Sequence, residues 1–211
     1  MNWKKYWISV FIIFFSMQLF HVDYKDCVMI GYNGGGYSGF WYYYGQLQKN
    51  YILDKKIYCF SAGCLAPVAN IQHNNHKFIL NIVNNLKINY NNNIIDRFDI
   101  RNQFIYEITN RITDISKYDL NILTSNYLGN CTIITPKTSE ELINALNLTT
   151  NIPFITSKLN LSQNIDGGLC MNRYPLCKTI IAMPLTYKFL INIFNPNVNN
   201  NNDDIEYFMN Y

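Results

Sequence analysis

In "IYCFSAGCLA", residues 57–66, a short apolar run from Ile57 to Phe60 meets Ser61, and the small residues Ala62, Gly63 and Ala66 follow. A serine at a strand-to-helix corner with a glycine two places on has the form of a nucleophile elbow, where the chain turns too sharply for bulky neighbours. Such elbows usually carry a glycine two places before the serine as well, and here that place is Cys59. Two readings are open at this point: Ser61 is a nucleophile, or it caps a helix.

The flanks make the corner part of a larger unit. Upstream, "CVMIGYN" (27–33) reads as a buried strand, "GGGYSG" (34–39) as a glycine-rich turn and "FWYYYGQLQKN" (40–50) as a helix with an aromatic face. "KIYCF" (56–60) is then a second strand and "AGCLAPVANI" (62–71) the start of a second helix. Strand, helix, strand in this order predicts a βαβ unit, hence a parallel sheet with a right-handed crossover. Downstream, 76–88 and 95–113 read as helices, and 120–127 and 131–136 as a strand pair. "TSEELINAL" (138–146) reads as a helix capped by Thr138 or Ser139, with Glu141 placed for a capping box. "NIDGGL" (164–169) is a turn and "CKTIIAMPL" (177–185) another buried strand. The expectation is one α/β domain.

The 211 residues suffice for one domain with a sizeable core, and 49% hydrophobic against 15% charged residues predicts a globular, rather apolar one. A net charge of +3, with no basic stripe, does not indicate nucleic acid as a partner. Asparagine crowds 89–93 and 195–204, and 195–211 reads as an Asn-rich disordered tail. At the other end, Lys4 and Lys5 precede the apolar run 6–20. That run is shorter than the roughly 20 residues of a bilayer span, so 1–22 reads as a signal peptide or, next, a signal anchor. The three sequons at Asn130, Asn147 and Asn160 accord with the secretory route, as do six cysteines. Cys170 and Cys177 are close enough in sequence to pair, whereas Cys59 and Cys64 read as small packing residues.

A serine hydroxyl needs a base. The chain holds three histidines, His21, His73 and His76, and none follows His76. The order Ser, acid, His of α/β-hydrolases is therefore impossible, and a catalytic Ser61 requires a carboxylate base. Asp166, followed by Gly167 and Gly168, is the best acid, although Asp-Gly is also an ordinary turn. The glycine run allows two uses of its backbone N–H groups: a dinucleotide pyrophosphate site or an oxyanion hole. The former wants an acid closing the second strand, but that strand ends in Ser61.

Glycine loop, serine elbow and Asp-Gly-Gly, in that order, resemble the patatin-like phospholipases. The match runs from about 27 to 185, within a domain read as 27–190, through "GGGYSGFWYYYG", "CFSAGCLAPVA", "TSEELINALNLTTNIPF" and "IDGGL". The resemblance implies a three-layer α/β fold around a mostly parallel sheet, and a Ser–Asp dyad that hydrolyses lipid acyl esters without metal or cofactor. Carried over, Ser61 is the nucleophile, Asp166 the base, and Gly34, Gly35 and Gly36 the oxyanion loop. Gly39, Gly63, Gly167 and Gly168 support the motifs. A lipid or phospholipid substrate at a membrane surface follows, with no nucleotide bound. Three departures stand out: Cys59 replaces the first elbow glycine, Ser38 stands where many members have arginine, and the sequence after Asp166 is short for the family at 45 residues. They leave open a catalytically inactive lipid-binding or interaction protein of the same fold. A nucleotide-binding protein is a distant third.

Overall fold

The structure is a computed structural model and describes residues 25–33, 35–50, 52–72, 75–153, 155–157, 164–170, 175–191 and 202–211. Strand β1 (Lys25–Tyr32) turns Val28 and Ile30 to one face and Cys27 and Met29 to the other, and all four are buried. Burial on both faces is what an interior parallel strand needs. Strand β2 (Ile57–Cys59) pairs parallel with β1, and β3 (Leu120–Ser125) parallel with β2. In register, Val28, Ile57 and Leu120 line up, as do Ile30, Cys59 and Ile122. These six side chains face the helices and form one core with Trp41, Tyr44, Ile105, Leu142 and Phe208.

Strand β6 (Cys177–Ala182) lies parallel on the far side of β1, and β4 (Cys131–Ile134) closes the other edge as the antiparallel partner of β3. The order is β4-β3-β2-β1-β6, with a further short strand, β5 (Ile165–Asp166), on β3. The molecule is therefore a mixed α/β fold with a mostly parallel central sheet, as the βαβ reading predicts.

Helix α1 (Gly36–Lys49) forms the crossover from β1 to β2. It starts inside the run read as a turn, not at Phe40, so Gly36 and Gly39 are helical. Glycine is a poor helix former, and packing overrides the preference here: Gly39 is buried and donates its N–H to the Gly35 carbonyl at 2.9 Å. Helices α2 (Ala62–Gln72), α3 (His76–Asn91), α4 (Arg97–Thr109) and α5 (Ser139–Thr149) follow. Thr138 caps α5, accepting from the Glu141 N–H at 3.1 Å. Glu141 reaches back one residue further than a capping box requires, to the Lys137 N–H at 2.7 Å.

The expected disordered tail does not hold for its described part. Residues 202–210 form helix α7 (Asn202–Asn210), which buries Ile205, Phe208 and Met209. The i, i+3, i+4 spacing of these three gives the segment an apolar face despite its acidic and Asn-rich start. Helix α7 crosses α1 at Gly45, where an added Cβ would overlap the backbone of Met209. A short helix, α6 (Tyr187–Ile191), joins the same layer, and Ser38, buried in α1, donates to the Phe189 carbonyl at 2.8 Å. The part of the tail from 195 to 201 lies outside the described residues, as does the leader 1–22. Among the described residues no helix is long and apolar enough to cross a membrane.

All six cysteines pair. Cys27 joins Cys177 across β1 and β6, Cys59 joins Cys64, and Cys131 joins Cys170. Two expectations are thereby corrected. Cys170 and Cys177 each pair elsewhere, because sheet topology brings distant partners closer than chain neighbours. Cys59 and Cys64 are not mere packing residues: a tight strand-to-helix corner sets their Cα atoms 5.0 Å apart, within disulfide range.

Candidate active site

Ser61 stands between β2 and α2 with φ +52. For a residue with a side chain this left-handed region is costly, and it persists only where surroundings enforce it. The enforcement is visible. An added Cβ at Gly63 would lie 2.6 Å from the Ile30 carbonyl oxygen and 2.7 Å from Gly31 Cα, so the first turn of α2 is pressed onto β1. The disulfide from Cys59 to Cys64 ties the strand side of the corner to the helix side. The Cys64 N–H donates to the Ser61 carbonyl at 2.9 Å. Ser61 itself is half-buried.

Asp166 reaches Ser61 through sheet register. Strand β4 occupies one edge of β3 from Ile122 to Ser125. Strand β5 pairs with Thr124 and Ser125 and must therefore use the other edge, the one β2 occupies from Leu120 to Ile122. Thus β5 continues the line of β2 after the chain leaves the sheet at Ser61, and Asp166, opposite Thr124, meets the corner. Gly167 makes the approach possible, since a Cβ there would overlap the Leu123 carbonyl and come within 2.7 Å of Phe60 Cβ. At Gly168 a Cβ would stand 3.1 Å from Asp166 Oδ1.

Asp166 is 5% exposed. Its Oδ1 accepts from the Gly168 N–H at 2.7 Å. Its Oδ2 has no closed hydrogen bond, a costly condition for a buried carboxylate oxygen. Burial pushes the group up from the ordinary 3.8 to about 6, against the opposing pull of the Ser61 hydroxyl and the Gly168 N–H. The hydroxyl thus faces the carboxylate and interacts with it without full hydrogen-bond geometry. Catalytic pairs without substrate are often loose in this way.

The glycine loop lies against the same corner. A Cβ on Gly35 would come within 2.7 Å of Ala62 Cβ, so Gly35 abuts the residue after the serine. Gly36 has φ +54, which suits glycine. Gly34 lies outside the described residues, as do His21, His73 and the Asn160 sequon, while His76 opens α3. The arrangement brings together Ser61, Asp166, Gly35, Gly63, Gly167 and Gly168; Gly39 sits within α1.

Sequence reasoning missed two parts of the site. One is the disulfide around the corner. The other is the end of α5: Thr149 Oγ1 accepts from the Ser61 N–H at 3.0 Å, and the Asn151 carbonyl accepts from the Asp166 N–H at 3.0 Å. The position of "LTTN" directly before Ile152 and Pro153 was the available signal for the latter. A comparison of the chain with protein-family models, curated proteins and solved structures finds no match.

Proposed function

We propose that the chain is a patatin-like lipid acyl hydrolase that cleaves carboxylic esters through a Ser61–Asp166 dyad. The observation that carries this reading is the strained Ser61 facing a buried carboxylate whose Oδ2 has no closed hydrogen bond. In the proposed reaction Oδ2 takes the Ser61 proton while Oγ attacks the ester carbonyl carbon. The developing oxyanion is held by the backbone N–H groups of Gly35 and Gly36, where Gly35 abuts Ala62. The C–O bond to the alcohol breaks and the alcohol leaves with the proton from Asp166. Water then adds to the acyl-serine, gives its proton to Asp166 and releases the fatty acid as Ser61 regains its hydrogen. A carboxyl raised to about 6 is a far better base than a free aspartate and is still mostly ionised at neutral pH.

The three-layer patatin-like arrangement, the lipid or phospholipid substrate and action at a membrane surface belong to this proposal. Secretory localisation does too; three disulfides support it, because such bonds persist in oxidising compartments. The decisive test is a fluorophosphonate probe followed by peptide mapping. Labelling of Ser61 in the wild type, absent in Ser61→Ala and sharply slowed in Asp166→Asn, is expected. A folded wild type that takes up no probe and hydrolyses no short-chain ester overturns the enzymatic reading in favour of a non-catalytic binding protein.

A further inference from the structure

We infer that Thr149 is a positioning residue for the dyad, an inference that rests on the hydrolase reading above. Thr149 is the last residue of α5 and is fully buried. Its Oγ1 accepts from the Ser61 N–H at 3.0 Å and donates to the Leu123 carbonyl at 2.6 Å. One hydroxyl therefore ties the strained corner to strand β3. The next residue of that strand, Thr124, is the partner of Asp166 in the sheet. Two residues beyond Thr149, the Asn151 carbonyl holds the Asp166 N–H at 3.0 Å. The segment 149–151 thus grips the main chain at both members of a pair that lies 105 positions apart.

The grip has two chemical consequences. A serine at φ +52 tends to relax, and the bond to its N–H opposes that relaxation in addition to the disulfide. The bond also commits the Ser61 N–H. Some serine hydrolases use the nucleophile's own N–H as an oxyanion donor. Here it is engaged by Thr149, so the donors must come from Ala62 and the glycine loop beside it.

The test compares Thr149→Val, which keeps the shape and removes the hydroxyl, with Thr149→Ser, which keeps the hydroxyl. Both are made in the full chain and assayed on p-nitrophenyl butyrate and for the rate of fluorophosphonate labelling at Ser61. Displacing a nucleophile by about an ångström costs on the order of 100-fold, so Thr149→Val should lose about ten- to 100-fold in kcat and in labelling rate. KM should change by less than about threefold, because ground-state binding is untouched. Thr149→Ser should retain most of the wild-type rate. If Thr149→Val does not fold, Thr149→Ala carries the same comparison. Unchanged kcat in a folded hydroxyl-free variant, or equal loss in the serine variant, overturns the role of Thr149 while leaving the dyad standing. An inert wild type removes the dyad itself, and the positioning role with it.

Discussion

Replacing Asp166 by asparagine should make the protein inactive and, at neutral pH, more stable. Burial holds the carboxyl at about 6, against an ordinary 3.8. The folded state therefore keeps its proton over a range in which the unfolded chain has lost it. Stability from this group is fully present below about pH 4 and is lost as the pH rises through about 6. The gap between 3.8 and about 6, at about 1.4 kcal/mol per pH unit, comes to about 3 kcal/mol. Asparagine escapes that cost and still offers an oxygen to the Gly168 N–H, the bond made at 2.7 Å in the wild type. The assay is urea unfolding of both proteins from pH 4 to pH 7.5. The wild-type stability, taken relative to the variant, should fall by about 2.4 kcal/mol across that range, because the unfolded carboxyl is already partly ionised at pH 4, and level off above about 7. The same ionisation should appear in catalysis as a kcat/KM that climbs through about pH 6 and is flat above it. A stability difference independent of pH would refute the reasoning, since Asp166 would then titrate alike in both states.

Three further substitutions probe the corner and its support. Ser61→Gly should abolish ester hydrolysis yet raise stability by up to about 1 kcal/mol, because glycine adopts φ +52 without strain; urea midpoints check this. Gly63→Ala drives a Cβ into backbone at 2.6–2.8 Å that cannot step aside, so it should cost about 1–3 kcal/mol and lower kcat on the order of 100-fold, read by melting and turnover. Gly45→Val should part α7 from α1, lowering the melting temperature through a loss of about 1–3 kcal/mol, and expose Phe208 to a fluorescent apolar dye while Ser61 labelling persists.

The parts of the fold set by neighbours in sequence were legible, and those set by register were not. The strand–serine–helix corner could be read because Ala62 and Gly63 carry their small size on their face. The hairpin of β3 and β4 likewise announces itself in two apolar runs around a polar turn. Asp166 could be singled out from its two glycines and the resemblance, but its place beside Ser61 depends on β5 taking over the edge of β3 where β2 ends. No local pattern encodes that. Thr149 reads on its own as a sequon residue or an indifferent helix former; its value lies in a hydroxyl with partners at Ser61 and Leu123. The tail was misjudged because Asn and Asp residues drown an apolar face of three side chains. The start of α1 was misplaced because glycine preference yields to burial at Gly39.

The bond between the Asp166 N–H and the Asn151 carbonyl closes the intervening chain at its neck. Side chains back the neck: Asn151 Nδ2 donates to the Asn164 carbonyl at 2.9 Å, and Asn164 Nδ2 donates to Thr124 Oγ1 at 3.0 Å. Lengthening a loop with fixed ends costs only about 0.6 kcal/mol for each doubling. An insertion between Ser157 and Asn164 would therefore lengthen the chain inside a neck whose two ends stay fixed. Asp166 would keep its station on β3, opposite Thr124, so added sequence can be carried there without rebuilding the chemistry.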